Sequence, residues 1–124
     1  MTRTFISLAA VLGAIAVAFG AFAAHGLKSW LEPTMLANWQ TGVRYQFYHV
    51  FALLAAGWLT ERIPNSRSAR WSGWLFLVGV LLFSGSLYIM ALTGWRWLGA
   101  ITPFGGVAFV LGWLLLANAA REIG

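Results

Sequence analysis

The sequence predicts an all-α integral membrane protein built as a four-helix bundle, and three observations carry that expectation. Only 9% of the 124 residues are charged while 60% are hydrophobic, against about 25% charged in a typical soluble domain. The few charges stand between long apolar blocks. The uncharged polar residues gather toward one end of those blocks instead of spreading over a water-facing surface. A soluble fold of this size needs far more polar surface, and so apolar a chain is not a disordered one. There is no cysteine, which excludes disulfides, thiolate chemistry, Fe–S clusters and cysteine zinc sites.

A spanning helix needs about 20 apolar residues, because the hydrocarbon core is about 30 Å thick. The charge-free intervals Thr4 to Gly26, Trp71 to Trp95 and Trp97 to Ala120 are each long enough. Tyr45 to Thr60 covers only about 24 Å by helical rise. The second helix must therefore begin earlier and carry Arg44 close to the membrane boundary. The predicted helices are 5–24, 39–60, 71–92 and 103–120, forming one transmembrane domain over residues 1–124. Arg3, an apolar run and Ala21-Phe22-Ala23 have the outline of a signal peptide. The run exceeds a usual h-region, so it is read as a retained first helix.

The loops set the orientation. Arg3, Arg62, Arg67, Arg70 and Arg121 fall on the side of the two termini, and Lys28, Arg44 and Arg96 fall opposite. That balance places both termini in the cytoplasm. It also accounts for the net charge of +5 without nucleic acid, whose binding needs basic residues clustered on one water-facing surface. Pro64-Asn65 reads as a turn, with Ser68 as a cap for the third helix. On the other side, Pro33 after Glu32 suits a first helical turn, predicting a short interfacial helix through Met35 and Leu36 toward Trp39. Thr102-Pro103 reads as an N-cap and first residue of the fourth helix. Trp39, Trp95 and Trp97 fit one aromatic belt, and Trp58, Trp71 and Trp74 the other. Small residues at Ala10, Ala14 and Ala18, at Ala16, Gly20 and Ala24, and at Gly105, Gly106, Ala108 and Gly112 predict close helix contacts. Bulky residues at Gly20 or Gly106 are therefore expected to disrupt assembly.

Polar residues inside a bilayer are costly and carry the functional information. His25, Thr41, Arg44, Tyr45, Gln46, Tyr48, His49, Ser84, Ser86, Tyr88, Thr93 and Thr102 all fall toward the side away from the termini. Thr41, Tyr45 and His49 share one face of the second helix, and Arg44 and Tyr48 the adjacent one. One reading is a polar pocket with His49 as proton acceptor or ligand; the other is interhelical packing with each hydroxyl bonded to neighbouring backbone. Arg44 likewise either donates to the carbonyls that end helices one and three or binds an anionic group. His25 and His49 lie on the same side, but only Glu32 is near to complete a ligand set, so no metal or haem is assigned.

Two active templates fail for want of acids. A small four-helix proton-coupled exporter needs a mid-membrane carboxylate, and Glu32, Glu61 and Glu122 all stand outside the apolar blocks. A Ser-His hydrolase pairing Ser84 or Ser86 with His49 needs an acidic orienter, and the chain contains no aspartate.

Four runs carry a family resemblance: Gly20-Ala21-Phe22-Ala23-Ala24-His25-Gly26-Leu27, Thr41-Gly42-Val43-Arg44-Tyr45-Gln46-Phe47-Tyr48-His49, Phe83-Ser84-Gly85-Ser86-Leu87-Tyr88 and Leu98-Gly99-Ala100-Ile101-Thr102-Pro103-Phe104-Gly105-Gly106. Together they resemble domain of unknown function 423, a family of small four-helix inner-membrane proteins. The resemblance covers nearly the whole chain and implies an integral membrane protein of a bacterial inner membrane. It implies no activity and no cofactor.

The expectation is a structural or accessory membrane component acting through helix packing. It touches membrane lipids and works as a homo-oligomer or as a subunit of a larger complex, with no nucleic-acid partner. The alternative is binding or transport of a lipid, quinone or small amphiphile in a polar pocket formed by His25, Arg44, Tyr45, His49, Ser84 and Tyr88. A membrane enzyme using His49 is a third reading, and the missing acids count against it.

Overall fold

The apolar blocks fold as four long helical rods in a computed structural model that describes residues 1–124. There is no strand. The first rod is α1 (Thr2–His25), followed by a 3₁₀ turn at Leu27–Ser29, and the second is α2 (Pro33–Arg62). The third runs from α3 (Arg67–Gly79) through one π turn (Val80–Ser84) into α4 (Gly85–Thr93). A second 3₁₀ turn (Arg96–Ala100) leads into α5 (Thr102–Ala120), the fourth rod. Three rods are long and apolar enough to cross a membrane: α1 with its following turn, the α3–α4 rod, and α5 with its preceding turn. At 30 residues, α2 is the longest, but its polar residues keep its hydropathy lower.

α1 lies along α2, α3 lies along α5, and α2 also packs on the third rod. Hydroxyl contacts mark the two ends. Thr2 meets Thr60 at 3.0 Å and Ser66 donates to Glu122 at 2.8 Å, gathering the start of α1, the end of α2, the start of α3 and the end of α5. At the far end the Trp39 indole donates to the Phe19 carbonyl at 3.0 Å, and Ser86 meets Thr102 at 2.6 Å. The core runs between these ends in three clusters, centred on Trp39 and Leu87, on Phe5, Leu53 and Phe76, and on Leu59, Ala69 and Ala119. Val11, Val17, Phe51, Val107 and Leu114 point outward and are each more than half exposed. That arrangement is stable where the surroundings are as apolar as the side chains.

Two glycines set the shape of the third rod. Gly94 adopts φ 76°, and its amide bonds to the Met90 carbonyl at 2.8 Å, ending α4 in the left-handed conformation that only glycine enters freely. Gly105 of α5 sits directly on the Phe83 backbone in the π turn, where a Cβ would overlap the Phe83 amide nitrogen and Cα. The helix backbones approach closely here because Gly105 puts no side chain between them.

Several local expectations are corrected. The helical segment expected as a separate interfacial element through Met35 is the first turn of α2, which runs unbroken from Pro33; residues 26–32, with a 3₁₀ turn at Leu27–Ser29, separate it from α1. Ser66, not Ser68, caps α3, its hydroxyl accepting from the Ala69 amide at 3.1 Å. Ser68 instead accepts a bond from the Asn118 amide at 2.7 Å, a tertiary contact to α5. Thr102 does not cap α5 but stands inside its first turn with its hydroxyl on Ser86. The Ala10, Ala14 and Ala18 stripe faces outward, while Ala9, Ala16 and Ala23 face α2 and the core. Within the chain, a Cβ at Gly106 would meet nothing within 4 Å and one at Gly20 only ordinary contact with Val43 at 3.6 Å, whereas Gly105 and Gly112 are tight.

Candidate functional site

The inward face of α2 repeats every three or four residues: Trp39, Gly42 and Val43, Gln46, His49 and Val50, Leu53, Ala56 and Gly57. Helical periodicity puts these on one stripe and turns Arg44, Tyr48, Phe51 and Trp58 to the outside. The polar members of the inward stripe form a chain of bonds across the bundle. The Gln46 Nε2 amide donates to the Leu12 carbonyl of α1 at 2.7 Å, and Gln46 Oε1 accepts the Tyr88 hydroxyl of α4 at 2.6 Å. The Ser84 hydroxyl, fully buried in the π turn, donates to the Gly42 carbonyl at 2.6 Å. The Tyr88 ring lies among Phe19 and Trp39, with centroids 4.9 and 4.7 Å away.

His49 is built into a second contact. Its Nδ1 lies 2.7 Å from the Tyr45 carbonyl and its Nε2 lies 3.0 Å from the Trp113 indole N–H of α5. A carbonyl only accepts and an indole N–H only donates. His49 is therefore the Nδ1–H tautomer, with Nε2 accepting from Trp113. The imidazole stacks flat on Phe109, centroids 3.5 Å apart at 7°. Both nitrogens are used, so neither is open to a metal or to a substrate proton. Neither Ser84 nor Ser86 bonds to His49; Ser84 turns to Gly42 and Ser86 to Phe83 and Thr102.

Of the six residues expected to form a pocket, the structure brings only part together. Tyr88 and Ser84 meet α2 from the third rod, and His49 meets α5 one turn further along. Tyr45 is partly exposed and packs on Phe83 and Tyr48. Arg44 is exposed and donates to the Thr41 hydroxyl at 3.1 Å, within its own helix. It does not reach the carbonyls that end α1 and α4, because helical periodicity turns it away from both. His25 is exposed at the end of α1, apart from His49. None of the three surface hollows is lined by any of these six residues. No group of three or more His, Asp or Glu side chains comes together, and no buried side-chain nitrogen or oxygen lacks a partner.

Two residues of this network, Gln46 and Trp113, were not among the six expected to form the pocket. Gln46 could have been found from its spacing, since it falls on the Trp39, Val43, Val50 and Leu53 stripe. Trp113 belongs to neither aromatic belt, and an indole away from both boundaries needs an internal acceptor. Replacing Trp113 with phenylalanine is expected to cost about 1 kcal/mol by leaving His49 Nε2 without a donor. Thermal unfolding in detergent measures it, and an unchanged midpoint would show that this bond contributes nothing.

Comparison with known proteins gives concordant matches. The family described as protein of unknown function (DUF423) matches residues 19–106. The chain is 43% identical over 118 residues to the UPF0382 membrane protein YwdK of Bacillus subtilis, covering 95% of this chain and 96% of that one. It is 47% identical over 121 residues to a UPF0382 membrane protein of Staphylococcus saprophyticus, covering 98% and 99%. A UPF0382 membrane protein of Haemophilus influenzae is 43% identical over 117 residues, covering 94% and 93%. No solved structure matches. The matched residues take in the Gln46, His49, Ser84 and Tyr88 network, and the chain belongs to the DUF423 family of membrane proteins.

Proposed function

We propose that this chain is a structural or accessory component of a bacterial inner membrane, acting through helix packing with a second copy or within a larger complex. The observation that carries this reading is the closed interior. Every buried polar side chain is paired inside the chain, so no group is left poised for chemistry, while the outer faces of α1 and α5 remain uncovered. In this reading all four rods cross the membrane as one domain over residues 1–124. α2 is about 45 Å long by helical rise, and its deepest polar groups, Gln46 and His49, are turned inward and bonded. The five arginines at the end that carries the termini support a cytoplasmic placement of both.

The absence of native cysteine makes the test direct. Single substitutions Ala14→Cys and Val17→Cys on α1, and Val107→Cys and Leu114→Cys on α5, are placed at exposed positions. Crosslinking in native membranes is expected to give a discrete product from positions of one face only, repeating with helical spacing along that rod. Absence of product from every exposed position of α1 and α5, with the chain migrating as a monomer, would overturn the reading.

A further inference from the structure

Where α3 emerges from the bundle, Arg67, Arg70, Trp71 and Trp74 stand at spacings of three, four and seven, which is one face of a helix. They line a hollow of about 440 Å³ together with Met1, which precedes the neighbouring α1. Its walls are held in place. Ser66 caps the helix through the Ala69 amide, and the Arg70 guanidinium donates to the Pro64 carbonyl at 3.1 Å. Trp74 packs edge-on against Phe5 of α1, centroids 5.3 Å apart, while Trp71 is 60% exposed. None of the lining residues is acidic. Of the chain's three glutamates, Glu122 is engaged by Ser66 in the adjoining hollow that it shares with Arg62.

We propose that this hollow binds one anionic phospholipid, with its phosphate on Arg67 and Arg70 and its acyl chains along Trp71 and Trp74. The α3–α4 rod is one of the three able to cross a membrane, and these residues are at its end, the depth at which headgroups and tryptophans meet. The guanidinium fork matches phosphate oxygens in pairs. With two arginines and no lining carboxylate, a headgroup carrying an ammonium would place a third cation in the hollow. A headgroup with net negative charge instead offsets part of that positive charge. A hollow of this size is within the range that holds small ligands.

The test is native mass spectrometry of the full chain, titrated with phosphatidylglycerol and with phosphatidylcholine of identical acyl chains. The wild-type chain is expected to retain one phosphatidylglycerol with a preference on the order of thirtyfold, from two basic residues at the surface. The double variant Arg67→Gln/Arg70→Gln is expected to lose that preference. Arg62→Gln/Arg121→Gln, at the same end but outside the hollow, is expected to keep it. Equal retention of the two lipids by the wild-type chain would overturn the proposal whatever the variants do. So would an equal loss in the Arg62/Arg121 pair, which would show general attraction in place of a site. Displacement of the lipid by inorganic phosphate alone would also overturn it, because the acyl chains would then contribute nothing.

Discussion

Replacing Gly105 with leucine is expected to destabilise the folded chain by about 3 kcal/mol or more, the upper range for forcing side-chain atoms into a filled space. The reason is the identity of what the new atoms meet. At Gly79 and Gly112 a Cβ would run into the rings of Phe109 and Phe76, which have rotamers to change. At Gly105 it would run into the Phe83 amide nitrogen and Cα, which are backbone in the π turn. Accommodation requires α5 to withdraw from the third rod, breaking the Ser86–Thr102 contact and unstacking Phe109 from His49. Gly106→Leu supplies the control, because a Cβ there meets nothing within 4 Å. Both substitutions gain helix propensity of similar size over glycine. Thermal unfolding in detergent should show a large loss for the first and none for the second. Equal midpoints for the two variants would mean that the backbones do not meet as described.

Gln46→Leu is expected to cost about 2 kcal/mol, within the range for leaving a buried polar group without its partner. Leucine nearly fills the volume of glutamine, so the loss is one of bonding. The Leu12 carbonyl tolerates it, since a carbonyl inside a helix already accepts one backbone bond. The Tyr88 hydroxyl does not, because Gln46 Oε1 is its acceptor at 2.6 Å and aromatic rings surround it. The double variant Gln46→Leu/Tyr88→Phe is therefore expected to be more stable than Gln46→Leu alone, the two apolar groups replacing a bonded pair. Additive losses in this cycle would show that Gln46 and Tyr88 act independently.

The three rods long and apolar enough to cross a membrane were legible because they are gaps between charges, and a gap survives any error in local propensity. The ends were less so. Ser66 and Ser68 both follow the Pro64-Asn65 turn, and it is Ser66 that caps α3 while Asn118 of α5 engages Ser68. Thr102 has the composition of a cap, but Ser86 on another rod takes its hydroxyl. The π turn left no readable pattern, since an extra residue in one turn alters neither composition nor span length. For the site, the sequence placed six polar residues in one pocket, and the structure leaves His25, Arg44 and Tyr45 of them exposed. Placing Tyr45 with His49 follows a spacing of four, whereas the buried stripe passes through Gln46.

The closed polar network bears on how the chain is assembled as it is made. α2 is the rod that falls short on hydropathy, and the groups that satisfy it lie on both sides of it in the sequence. The carbonyls of Leu12 and Phe19 are already present when α2 leaves the ribosome, and they take Gln46 Nε2 and the Trp39 indole. Tyr88 and Trp113 come later, on the third and fourth rods. Until those rods are in place, Gln46 Oε1 and His49 Nε2 lack the partners that they have in the folded chain. In the folded chain α2 is tied to α1 through Gln46 and Trp39, and the pairing of His49 is complete only once α5, the last rod synthesised, is in place.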